Sequence, residues 1–251
     1  TVWETEIIPQ EWKTGVIAPI HKKGDSMNCN NYRAIMLLNS AYKILANILY
    51  RRLLPDMEEI IGEYQCGFKP DRSTVDQLYI MRQMTEKCWE QNIDIHHLFL
   101  DFESAYDTVV TDEIWTPMHN LGIPKKLVNL CRTITNEKYA VIKVGRKITN
   151  IIDMEKGVRQ GDGIAPVLFN IALEIAIRRS KIQTNGTIFT KSQQILAYAD
   201  DLVLTSRRIQ DLEEMYIELE KQTKMLGLKI NIQKYKYMNV TKKAPHQHTD
   251  K

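Results

Sequence analysis

At 251 residues, with 43% hydrophobic and 26% charged side chains, the chain has enough apolar material to bury a sizeable core, which excludes a disordered tract outside its ends. A formal charge of +3 permits nucleic-acid binding without arguing for it, because an acidic site can cancel a basic groove in the sum. Cys29, Cys66, Cys88 and Cys131 are widely separated and form no C-x-x-C pair, which disfavours a disulfide framework and a zinc site, and no apolar run approaches the roughly 20 residues of a membrane helix. An intracellular setting, cytoplasmic or nuclear, fits that thiol usage. The polar opening TVWETEIIPQEW, with no initiating Met, reads as a piece of a longer protein.

Residues 8–19 run from a polar segment into the apolar GVIAPI and then the basic turn His21-Lys22-Lys23-Gly24-Asp25, a strand entering a loop. Lys22 and Lys23 alone read as a solvated turn. In the next segment Ile44, Leu45, Ile48, Leu49 and Leu53 recur at helical spacing, which predicts an amphipathic helix that packs most of those residues inward and ends near Pro55. A second helix is predicted over 75–91, capped by Ser73 or Thr74, with Leu78, Met81, Cys88 and Trp89 as its packing side. The apolar run 93–100 predicts a buried strand that ends at Asp101.

Two helices follow over 112–121 and 124–136, joined at Gly122, and YAVIKVGRKITNIID reads as two β runs turned at Gly145-Arg146. The stretch Lys156-Gly157-Val158-Arg159-Gln160-Gly161-Asp162-Gly163-Ile164-Ala165-Pro166 is a glycine-rich loop feeding a helix over 167–181, an arrangement that permits close approach to phosphate or a base. ILAYADDLVLTS, 195–206, is a hairpin with Asp200 and Asp201 at its tip. Ile209, Leu212, Met215, Leu219 and Leu226 trace a helix that stops at Gly227, and the chain closes on a polar tail, 241–251.

The chemistry lies in the acidic clusters. An isolated Asp-Asp pair is ordinarily a turn former, yet adjacent carboxylates repel, and a turn alone needs no such pair. A hard cation removes the repulsion, and Mg²⁺ takes one or two carboxylates while leaving positions for water and substrate phosphate. With Asp101 at a second strand end, the two clusters can serve phosphoryl transfer by two ions roughly 3.5–4 Å apart.

Asp101-x-x-x-Ala105-Tyr106-Asp107, then Arg159-Gln160-Gly161-Asp162, then Ala197-Tyr198-Ala199-Asp200-Asp201 resemble, in that order, the palm of a reverse transcriptase, most closely that of non-LTR retrotransposons. Tyr32-Arg33 matches the start of the family's Tyr-Arg-Pro-Ile-Ser-Leu-Leu signature, with Ala34 for Pro and Met36 for Ser. Gln65-Cys66-Gly67-Phe68-Lys69-Pro70-Asp71-Arg72-Ser73-Thr74 matches its Gln-x-Gly-Phe-Arg-x-x-Arg-Ser-Thr. Gly163 and Ala165 replace Pro and Ser in Arg-Gln-Gly-Asp-Pro-Leu-Ser-Pro, and Tyr235 replaces Thr in Gly-Leu-x-Ile-Asn-x-x-Lys-Thr.

The resemblance implies an α+β fold, the fingers (1–92) and palm (93–240) of a right-hand polymerase without its thumb, the palm an antiparallel sheet packed by helices. It implies an RNA-directed DNA polymerase, a nucleotidyltransferase that extends a DNA primer on an RNA template with dNTPs. Further domains of a parent polyprotein and no membrane would accompany it. Asp101, Asp200 and Asp201, with the Phe102 carbonyl, would hold two Mg²⁺ ions, Mn²⁺ being a substitute. Lys23 and Arg33 would meet phosphates, and Arg159, Gln160 and Gly161 would line the substrate. Tyr106 would exclude a ribose 2′-hydroxyl, and Lys234 would protonate the departing pyrophosphate. A group II intron maturase, or a decayed nucleic-acid-binding remnant, shares the same motifs.

Overall fold

The computed structural model describes residues 1–136, 138–154, 156–182, 188 and 193–242. Beyond Lys242, the expected polar tail lies outside the described residues. Helices α1 (Val2–Thr5) and α2 (Gln10–Lys13) precede strands β1 (Thr14–His21) and β2 (Tyr32–Leu37). Helices α3 (Ser40–Ile60) and α4 (Thr74–Glu90) lead to β3 (Ile95–Leu100). Then come α5 (Ala105–Thr108), α6 (Asp112–Asn120), α7 (Lys125–Thr135), β4 (Lys138–Val144), β5 (Lys147–Ile148) and β6 (Ile152–Met154). Helix α8 (Ala165–Arg179) precedes the hairpin of β7 (Gln193–Tyr198) and β8 (Asp201–Ser206), and α9 (Ile209–Met225) and β9 (Lys236–Val240) complete the order.

The chain forms two compact units that interleave in sequence. Unit 1 comprises Thr1–Ile61, Ser104–Ile175 and Leu226–Leu228; unit 2 comprises Gly62–Glu103, Ala176–Met225 and the chain from Lys229 onward. This division follows packing and differs in kind from a fingers and palm boundary at 92/93, which is a division by role.

Unit 1 holds a sheet of order β2-β1-β4-β5, with β6 also on β4. Strand β1 runs antiparallel to β2 and parallel to β4. Pro19 is tolerated in this central strand because pairing with β4 stops at Ile17↔Ile142, before the missing N–H would be needed. Helix α7 buries Leu127, Val128, Leu130, Cys131, Ile134 and Thr135, a helical stripe that packs toward α3 and α6. Leu168, Phe169, Ile171 and Ala172 of α8 are fully buried, as expected of a helix apolar on most sides.

Unit 2 is an antiparallel sheet of order β7-β8-β3-β9, the α+β arrangement that the sequence predicts. Helix α9 packs on β8 and β3 through Leu212, Met215 and Leu219, and α4 packs on β7. The turn at Gly145-Arg146 and the helices on either side of Gly122 form as predicted.

Two helices depart from expectation. Helix α3 continues through Pro55 to Ile60, because the buried stripe Tyr42, Ala46, Leu49, Leu53, Met57 and Ile60 runs past the proline and packing outweighs its lost hydrogen bond. That stripe leaves Ile44 and Ile48 outside, 64% and 43% exposed. In α4, capped by Ser73 through a reciprocal bond with Asp76, Cys88 is buried but Leu78 and Trp89 stand exposed. The helix turns only a narrow side, centred on Gln77 and Cys88, toward the protein.

Candidate active site

Strand register brings the aspartates together. Antiparallel pairing of Leu100 with Leu202 puts Asp101 on the next rung, opposite Asp201, and directly opposed residues share one face of a sheet. Tyr198 pairs with Asp201, so Ala199 and Asp200 form a two-residue turn at the tip of the β7–β8 hairpin. Ala199 takes a left-handed conformation, φ 56°. Beyond β3 the chain stays fixed: Phe102 bridges Ile230, the Asp101 carbonyl accepts from the Asn231 N–H at 2.8 Å, and the Glu103 N–H donates to the Lys229 carbonyl at 2.8 Å.

Those backbone contacts deliver Lys234 to the carboxylates, where its Nζ donates to Asp101 Oδ2. Its pKa is raised, first by that hydrogen bond and then by the charges of Asp101, Asp200 and Asp201. Partial burial, with the charges of Asp200 and Asp101, pushes Asp201 above the usual carboxylate range, while Lys234 pulls it back. The cluster therefore carries excess negative charge that one ammonium balances only in part.

Among the described residues no three His, Cys, Asp or Glu side chains converge into a ready-made metal cluster. The donor chemistry still fits a hard divalent cation: oxygen ligands only, two on one rung of the sheet and the third at the adjoining turn, with mutual repulsion that a cation would relieve.

The remaining candidates lie in unit 1. Lys23 and Arg33 are exposed at the loop end of the β1–β2 hairpin, where His21 pairs with Tyr32. The glycine-rich loop packs against β2: the Met36 N–H donates to the Gln160 carbonyl at 2.8 Å, and a Cβ on Gly161, φ 110°, would lie 2.8 Å from the Met36 carbonyl oxygen. Tyr106 is half-buried, its ring 5.3 Å from that of Phe169, and its carbonyl accepts from the Val158 N–H at 2.7 Å.

Arg159 does something the sequence does not suggest. Only 2% exposed, its guanidinium donates to the carbonyls of Trp12 (3.3 Å) and Lys13 (2.5 Å) and lies 5.0 Å from the Tyr42 ring centroid. The Tyr42 hydroxyl donates to Asp162, whose carboxyl burial pushes upward, and buried Lys138 donates to the Gly157 carbonyl. The guanidinium expected to meet substrate is spent on holding the loop that carries Gln160. Equally absent from the sequence candidates are Gln65 and Gln77, whose buried amides reach the backbone of Ala197 and Ala199. The only sequence signal for Gln65 is the Gln-x-Gly at 65–67, and that motif does not reach Gln77.

A family model described as reverse transcriptase (RNA-dependent DNA polymerase) matches residues 20–248. The retrovirus-related Pol polyprotein from type-1 retrotransposable element R2 of Popillia japonica is 30% identical over 201 residues, 78% of this chain and 28% of that protein. The transposon TX1 uncharacterized 149 kDa protein of Xenopus laevis is 25% identical over 82% of this chain and 16% of its own length. The chain thus spans less than a third of either relative. Among solved structures, apo telomerase from Candida Tropicalis, truncated from its C-terminal domain, matches with a TM-score of 0.69 over 93% of this chain and 51% of that one. At 12% identity that likeness shows the fold alone.

Proposed function

Since this chain belongs to the reverse transcriptase (RNA-dependent DNA polymerase) family, whose members work with divalent metal, we propose that it is the polymerase part of a non-LTR retrotransposon protein, extending a DNA primer with dNTPs on an RNA template. The observation that carries this reading is the rung register of Asp101 and Asp201, with Asp200 at the adjoining hairpin tip. In this reading unit 2 carries the metal-binding core of the palm, and further domains of a parent polyprotein flank the chain.

Two Mg²⁺ ions, or Mn²⁺ in their place, suit this donor set, and Asp101, Asp200, Asp201 and the Phe102 carbonyl would hold them; bound there, they supply Lewis-acid assistance to the primer 3′-hydroxyl and charge neutralisation to the triphosphate. The protein's own side chains do the rest. Lys234, next to Asp101 and firmly protonated, is placed to give its Nζ proton to the leaving pyrophosphate. Arg33 and Lys23, exposed and cationic, take phosphate oxygens, Arg33 with the two-pronged geometry a guanidinium allows. Gln160 and Gly161 offer a side-chain amide and a bare backbone to the substrate, with Arg159 anchoring the loop beneath them. The Tyr106 ring excludes a 2′-hydroxyl by clash.

Primer extension by a parent protein that includes this chain tests the reading. dNTP addition on an RNA template should appear with Mg²⁺ and vanish with a chelator. Binding of primer and template, weakening with salt as phosphate contacts demand, but without any Mg²⁺-dependent extension, would instead identify a decayed nucleic-acid-binding remnant.

A further inference from the structure

The β7–β8 hairpin presents its two aspartates from a turn that the sheet alone does not hold. Strand β7 is an edge strand, and its pairing with β8 ends at Tyr198↔Asp201, which leaves Ala199 and Asp200 beyond the ladder. Ala199 is left-handed there, φ 56°, at a position where glycine is the unstrained choice.

The segment before α4 meets this turn from the free edge of β7. Gln65 makes an isolated parallel bridge with Ala197: the Cys66 N–H donates to the Ala197 carbonyl at 2.9 Å and the Ala197 N–H to the Tyr64 carbonyl at 2.7 Å. From that anchor the Gln65 side chain, 2% exposed, reads both backbone groups of one residue. Its Oε1 accepts from the Ala199 N–H at 2.8 Å and from the Gly67 N–H at 2.7 Å, and its Nε2 donates to the Ala199 carbonyl at 3.2 Å. The set is self-consistent, with two N–H donors on the amide oxygen and a carbonyl on the amide nitrogen.

Gly67 makes the approach possible, since a Cβ there would lie 2.0 Å from the Ala199 nitrogen. Gln77, from α4, completes the arrangement by donating to the carbonyls of Tyr64 (2.7 Å) and Ala197 (3.2 Å). Its own Oε1 is buried with no partner among the described residues, a local cost accepted in holding the segment.

We propose that Gln65 is a positioning residue: its side-chain amide locks the left-handed Ala199 turn and thereby fixes the aim of Asp200 and Asp201 toward bound cations, with Gly67 keeping the approach open. This inference rests on the metal-site reading above. Ligands left about an ångström loose lose much of their effect, so a turn outside the ladder needs such a clamp. A neutral amide also does this without adding charge beside carboxylates that must attract a cation.

The test uses the whole chain, wild type and Gln65→Met, which keeps the length and removes the amide. Hydrogen exchange at the Ala199 amide, measured without metal, should be at least tenfold faster in the variant, while the amides of Leu98 and Leu100 stay protected as before. Mn²⁺ titrated against the folded protein and followed by electron paramagnetic resonance should bind at least fivefold more weakly, with an unchanged circular dichroism spectrum. A residue with only a structural role would lower the melting temperature without altering Mn²⁺ affinity in the folded state. Unchanged Ala199 exchange and Mn²⁺ affinity in a folded variant would overturn the proposal. If Gln65→Met does not fold, Gln65→Asn, with the amide one methylene short, is read by the same two measurements. A wild-type chain that takes up no Mn²⁺ overturns the metal-site reading and this proposal's claim on the cation, and exchange at Ala199 still decides whether the clamp exists.

Discussion

In unit 2 the charges sit at the sheet's end, where Asp201 is exposed and Asp101 and Asp200 are half-buried, and the polar groups buried around the strands are largely neutral: Gln65, Gln77, His97, Thr205. In unit 1 a set of charges is itself buried, with Arg159, Asp162 and Lys138 each at most 5% exposed and holding the glycine-rich loop. The contrast separates two uses of charge. Carboxylates proposed to capture a cation need supports that add no competing field, whereas a loop held from beneath can be tied by charge-assisted hydrogen bonds, which are stronger but require every partner.

Charge removal should therefore act on opposite observables in the two units. Asp200→Asn should lower primer extension by about a thousandfold or more while leaving the melting temperature unchanged or slightly higher, since it takes one charge from a repelling cluster. Extension near the wild-type rate would remove the hairpin from the chemistry. Arg159→Met should do the reverse at the level of folding, costing about 2–5 kcal/mol by leaving the Trp12 and Lys13 carbonyls without their donor. Denaturant unfolding measures this, and a loss below about 1 kcal/mol would erase the distinction between the units.

Titration separates them further. His97, fully buried between Thr85 (3.2 Å) and Thr205 (2.9 Å), has its pKa lowered to about 4 by burial. The unfolded chain takes up that proton near pH 6.5, so stability is fully present above that value and falls as pH drops toward 4, by up to about 3 kcal/mol. Lys138 has the same sign in a higher window: burial lowers it to about 8, so unit 1 gains stability as pH rises from about 8 toward 10.5. His97→Gln should flatten the acid limb, and Lys138→Met the alkaline one, in unfolding curves recorded against pH.

Tyr106 sharpens the comparison as an uncharged residue of the proposed site in the unit that buries its charges. Tyr106→Val should reduce discrimination against ribonucleotides by at least tenfold, with extension and Mg²⁺ dependence retained; an unchanged ratio of the two incorporation efficiencies would clear the residue of that role. The smallest effect belongs to Ala199→Gly, which relieves the left-handed turn and should stabilise the fold by about 0.5–1 kcal/mol. Destabilisation instead would mean that the turn is not strained.

What the sequence discloses follows how local each cause is. The hairpin of 195–206, the strand ending at Asp101 and the helices around Gly122 depend on neighbours a few positions away, and each forms as read. The register that faces Asp101 with Asp201 joins positions a hundred apart, yet two apolar runs flanking acids already point to it. Arg159 was legible as a cation in a flexible loop but not as a buried one, because the carbonyls it serves lie 146 and 147 residues away. Gln65 stayed hidden for the same reason, its partner Ala199 being 134 residues on. Pro55 misled in the opposite direction: a local helix breaker lost to a buried stripe whose partners are not local.

The interleaving of the two units bears on how the chain is made. Strand β3 is complete at Leu100, but its neighbour β9 begins at Lys236, so a ribosome adding about 5–20 residues per second leaves that edge uncovered for on the order of ten seconds. Unit 1 likewise waits for Leu226, whose carbonyl receives the Val110 N–H at 2.9 Å. Neither unit can close during translation from its N-terminal side, and both depend on late contacts between distant positions, the topology that folds slowly. A nascent chain arrested at about residue 180 would therefore expose the apolar α8 and an unpaired β3, and would be a better substrate for chaperones and proteases than either finished unit.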